Sequence, residues 1–166
     1  IAATGPGDEI WVAAGTYKPT STSNQQISFD LPTGVKLYGG FAGTETLLTQ
    51  RDWNANVTIL SGDIGSTGTA YDNSYSVVFA YNVSSNTRLD GFKIQSGYAS
   101  DINYHYYGGG MYIESSSLTV ANCTFTGNYS ANGGGALAQT GSGGSTTGIL
   151  NIINCNFFNN NGGSGA

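Results

Sequence analysis

Apolar residues along this chain recur in short alternating runs broken by turn-forming residues. Asp8–Ala13, Ile27–Leu31, Val35–Phe41, Val57–Leu60, Tyr75–Ala80, Thr87–Ile94 and Gly110–Ile113 each read as a strand. Gly15, Pro32-Thr33-Gly34 and Ser61-Gly62-Asp63 punctuate them. Phe41–Asn56 reads as a loop with a helical turn near Thr46–Trp53, and Thr67–Ser74 as a polar, exposed stretch.

One pattern returns. Val120–Asn128 reappears as Ile152–Asn160, so that Asn122, Cys123, Phe125 and Asn128 recur as Asn154, Cys155, Phe157 and Asn160. A third copy, Thr87–Ile94, places Gly91 on Asn122, Phe92 on Cys123 and Ile94 on Phe125. A repeat at a fixed period of ~20–50 residues marks a solenoid. Within each copy Leu118 and Val120 alternate inward, as do Cys123 and Phe125, but the two pairs are out of phase by one residue. A straight strand cannot point all four one way. A corner at Gly91, Asn122 and Asn154 resets the phase, and Gly and Asn adopt a left-handed backbone most cheaply. The expected unit is strand, one-residue corner, strand.

Stacked at ~4.8 Å, such units form columns: Asn122 over Asn154, Cys123 over Cys155, Phe125 over Phe157. Glycine clusters at 108–110, 133–135 and 162–165 mark a further tight turn in each coil, and 140–148 reads as a flexible Gly/Ser/Thr insertion. The predicted fold is all-β, a right-handed parallel β-helix of roughly five or six coils in a single domain over 1–166.

Composition narrows the function. Charged residues make up 9% and the formal net charge is −5. Lys18, Lys36, Arg51, Arg88 and Lys93 are scattered, which argues against nucleic acid and against an anionic membrane surface. No apolar run approaches the ~20 residues of a membrane helix. The start at Ile1-Ala2-Ala3 has no basic leader, so a mature product or a fragment is expected. The Asn, Thr, Ser, Gly and Tyr richness reads as extracellular or cell-surface.

The Gly-Gly-Gly-Ala at 133–136, with Phe-x-x-Asn at Phe125–Asn128 and Phe157–Asn160, resembles the repeat of polymorphic outer-membrane proteins. The segments Gly7–Tyr17, Gly34–Thr46 and Gln50–Trp53 resemble bacterial right-handed parallel β-helix proteins of the pectin-lyase-like class. The resemblance implies the fold over nearly the whole chain. It leaves activity open, because that fold carries lyases, hydrolases, adhesins and passive stalks. In that family a short amphipathic helix precedes the first strand; here only 1–4 correspond to it, and neither end carries a visible cap.

Candidate chemistry is sparse. Sugar hydrolysis needs two carboxylates ~5–9.5 Å apart, and the acids are scattered, with Asp63 and Asp90 beside Gly in turns. Arg88 and Lys93 flank Asp90 and read as solvent-facing charges. His105 is the only histidine and makes neither a triad nor a metal site. No metal and no cofactor are expected. Tyr98, Tyr104, Tyr106 and Tyr107 on one protruding loop suit self-packing, a subunit contact or stacking on sugar rings. Cys123 and Cys155 fall within disulfide reach at ~4.8 Å, yet read as free thiols packed in an apolar column. The sequons at Asn56, Asn82, Asn122 and Asn128 read as chance matches, with Asn122 a buried ladder residue. The expected function is a non-catalytic stalk section or fibre subunit that associates end to end. The alternatives are glycan adhesion through the tyrosines and a polysaccharide lyase or hydrolase.

Overall fold

The computed structural model describes residues 5–100, 107–141 and 148–163. The chain winds through five coils among these residues. The first contributes β1 (Glu9–Ala13), β2 (Gly15–Tyr17) and β3 (Phe29–Asp30). The second contributes β4 (Lys36–Phe41), β5 (Thr58–Ser61) and β6 (Val78–Tyr81). The third holds β7 (Thr87–Asp90), β8 (Phe92–Gln95), β9 (Tyr98–Ala99) and β10 (Met111–Glu114). The fourth repeats that set as β11 (Leu118–Ala121), β12 (Thr124–Thr126), β13 (Tyr129–Ser130) and β14 (Leu137–Thr140). The fifth holds β15 (Leu150–Ile153), β16 (Asn156–Phe158) and β17 (Asn161–Gly162).

Strands stack only with their equivalents, in the orders β1-β4-β7-β11-β15, β2-β5-β8-β12-β16, β3-β6-β10-β14 and β9-β13-β17. Every described pairing is parallel. This is a parallel β-helix. Its core is a set of columns running along the axis. In the first sheet Leu37, Leu89, Val120 and Ile152 stand in register. In the second, Leu60, Ile94, Phe125 and Phe157 do so, and the rings of Phe125 and Phe157 stack at 5.1 Å.

The phase break has the backbone cause that the alternation requires. Gly91, Asn122 and Asn154 have φ of +81°, +51° and +51°, left-handed corners between the first and second sheets. The glycine clusters serve close approach. A Cβ on Gly109 would overlap the carbonyl oxygen of Tyr129 in the next coil.

Two expectations about elements change. The strand expected over Ile27–Leu31 shrinks to β3, because Ile27 N–H closes a turn onto Asn24 O. The stretch expected to be exposed over Thr67–Ser74 ends buried: Ser74 is fully enclosed and Asn73 is 6% exposed. Ser74 N–H donates to Gly62 O while its own carbonyl accepts from Tyr98 N–H, so its enclosed backbone is paired although it lies outside the strands.

Candidate functional site

The corner between the first two sheets gathers the charged and amide groups. Asp90, the acid read as a turn residue beside Gly91, closes β7 and is 1% exposed. Its Oδ1 accepts from Arg51 Nη2 at 2.7 Å and from Asn122 Nδ2 at 2.8 Å, and its Oδ2 from Arg88 Nε at 2.8 Å. Lys93 takes no part. A carboxylate this enclosed persists because each oxygen has charged or amide donors.

Arg51 comes from the loop between β4 and β5. Its guanidinium lies over the rings of Tyr38 at 4.9 Å and Trp53 at 4.8 Å. It also donates to Gly39 O and Asp90 O. The loop thus folds back on the corner and is riveted there. This explains the identity of the corner residues. A Cβ on Gly91 would sit 2.9 Å from Arg51 Nη1, so the third coil takes glycine where the fourth and fifth take asparagine.

Beyond the loop the asparagine column continues, with Asn154 Nδ2 donating to Asn122 Oδ1 at 2.7 Å. Asn122 is half-buried rather than buried. A second asparagine column follows the Phe-x-x-Asn motif. Asn128 is 1% exposed and its Oδ1 accepts from Gly97 N–H. Its Nδ2 donates to Ile94 O and Asn160 Oδ1. Asn160 in turn donates to Phe125 O and Phe158 O.

Cys123 and Cys155 are free thiols on adjacent coils, the first buried and the second half-buried. Burial pushes the Cys123 thiol well up, while a hydrogen bond from Cys123 holds Cys155 down at about 7.

A family model matches residues 1–165. The chain belongs to the family described as Protein of unknown function (DUF1565). No curated protein and no solved structure matches it.

In this DUF1565 chain the two described tyrosines of the four expected on one loop, Tyr98 and Tyr107, pack against residues of different sheets. Tyr98 belongs to β9, stacked at 4.6 Å on its register partner Tyr129 and edge-on to Tyr71 at 5.4 Å. Partial burial, then Tyr71 and Tyr129, raise its phenol pKa. Tyr107 instead neighbours Tyr112, whose ring stacks on Phe79 at 5.6 Å. Tyr104, Tyr106 and His105 lie outside the described residues. Among the described residues no three His, Cys, Asp or Glu side chains group as metal ligands.

The buried Arg51–Asp90 pair escaped the sequence reading because its partners are far apart along the chain. The signal that existed was Asp90 beside a predicted corner. The Asn128–Asn160 column is legible as a repeat, but its amide contact follows only from the stacking of the coils.

Proposed function

We propose that this chain is a non-catalytic structural β-helix of the extracellular space or cell surface, serving as a section of a longer stalk or a subunit of a self-stacking fibre. The face of the fifth coil carries this reading. Val120 and Phe125 are fully buried, whereas their column neighbours Ile152 and Phe157 are 47% and 45% exposed. Among the described residues β15, β16 and β17 pair only with β11, β12 and β13. Free parallel edges beside exposed column residues are a template for one more coil, from the same chain or from another copy. Repeated head to tail, such a contact gives a filament. The low charge content, 9%, favours close axial approach and a surface suited to the extracellular space.

Sedimentation across a concentration series, with electron microscopy, tests the reading on the chain and on an Ile152→Lys, Phe157→Lys variant. The expected result is end-to-end association that the variant abolishes. Isolated monomers at every concentration would remove the fibre, and a natural gene product with a polar cap over the fifth coil would remove the stalk. Release of unsaturated sugar ends from acidic polysaccharides would overturn the non-catalytic part.

A further inference from the structure

Four of the chain's five basic residues are paired. Lys18 meets Asp63 at 3.7 Å and Lys36 meets Glu9 at 3.4 Å. Arg51 and Arg88 share Asp90. Lys93 has no carboxylate partner among the described residues. It sits in β8 between the inward Phe92 and Ile94, in the outward column Ile59, Lys93, Thr124 and Asn156.

Lys93 and Thr124 of that column line an open cavity of about 320 Å³ beside the asparagine corner. Trp53 and Asn54 form one wall and Phe158 lies at the far side, with Lys93, Thr124 and Asn122 between them. Among the described residues no carboxylate lines it. The groove runs along the axis across the third to fifth coils, a span of roughly 10 Å at ~4.8 Å per coil. Trp53 is held from outside the groove by the Arg51 guanidinium, which Asp90 fixes. The wall is therefore preorganised. Lys93 Nζ, Thr124 Oγ1 and the Asn54 side-chain amide carry no hydrogen bond among the described residues, so three residues lining one cavity have polar side-chain groups unspent.

We propose that this groove binds a saccharide carrying an anionic substituent, a carboxylate or a sulfate. A sugar ring has an apolar face that packs on an aromatic side chain and a polar rim that meets separated donors and acceptors. Trp53 and Phe158 supply the first, and Asn54 and Thr124 the second. Lys93 supplies the charge. On a chain of net charge −5 an anion is repelled in general, so Lys93, the one lysine or arginine without a carboxylate partner among the described residues, selects where it docks. The fifth-coil face is a separate surface: Phe157 belongs to the inward column, and Phe158 to the outward column of Gln95 and Thr126.

Calorimetric titration of the full chain with a glucuronate-containing oligosaccharide, a sulfated neutral oligosaccharide and the unsulfated parent tests this. At least one anionic ligand is expected to bind about fivefold more tightly than the parent, with the preference weakening as salt rises. Lys93→Gln is expected to erase the preference at an unchanged melting temperature, and Phe158→Ala to weaken all binding. Whichever anion wins identifies the substituent. Equal affinity for charged and neutral ligands, no binding of any of the three, or an unaltered preference in Lys93→Gln would overturn the proposal.

Discussion

Arg51 Nη2 lies 2.7 Å from Asp90 Oδ1, joining residues 39 positions apart, with the side chains only 8% and 2% exposed. The contact binds the loop between β4 and β5 to the helix corner and sets one wall of the groove beside it. Removing one partner of such a pair leaves the other charge enclosed and uncompensated. Asp90→Ala is therefore expected to cost about 3–5 kcal/mol. Arg88, with a side chain 29% exposed, keeps access to water, and Arg88→Ala is expected to cost about 1 kcal/mol or less. Urea unfolding of both variants checks the contrast, and equal losses would contradict it.

Gly91→Asn would complete the asparagine column suggested by the repeat. The backbone at φ +81° accepts asparagine, but the new side chain meets Arg51 and Trp53. The expected outcome is a loss of about 1–3 kcal/mol from overpacking. The reverse change, Asn122→Gly, keeps the corner and gives up amide bonds to Asp90 and Asn154, for about 0.5–1.5 kcal/mol each. Thermal unfolding of the two variants measures both; a more stable Gly91→Asn protein would refute the steric account.

Asn128→Ala, in the turn between β12 and β13, takes away the partners of the Gly97 N–H between β8 and β9 and of the Ile94 carbonyl in β8. A loss of at least about 2 kcal/mol is expected, since each unsatisfied buried group costs ~1–3 kcal/mol. Asn128→Asp should be no milder, because a carboxylate cannot donate to Ile94 O or Asn160 Oδ1. Hydrogen exchange at Gly97 reports the local opening directly.

Cys155 and Cys123 should separate on alkylation. Cys155, held at about 7 by the hydrogen bond from Cys123, gains reactivity as pH rises through neutrality, because the thiolate is the nucleophile. Cys123, pushed up by burial, stays a thiol across that range and reacts only on unfolding. Iodoacetamide labelling read by mass spectrometry between pH 5 and pH 9 checks the order. Cys123→Ser, whose hydroxyl donates in a different geometry, should shift the Cys155 midpoint. A midpoint indifferent to that change would show that Cys123 does not set it.

The local features of the coil were open to reading along the chain. Alternation at Leu118–Val120 and Cys123–Phe125, broken in phase at Asn122, determines strand, left-handed corner, strand, because side-chain direction and left-handed backbone preference depend on a few adjacent residues. The recurrence of that unit determines the stacking columns, since equivalent strands one period apart pair in register. The loop bearing Arg51 and Trp53 has no counterpart in the repeat, so nothing in its own sequence says where it docks. Its landing on Asp90, the glycine chosen at position 91, the division of Tyr98 from Tyr107 and the groove of Trp53, Asn54 and Phe158 that forms around Lys93 were decided by the tertiary structure. Each depends on groups from different coils meeting at distances of a few ångströms, and charge burial and steric exclusion act only once the coils are stacked.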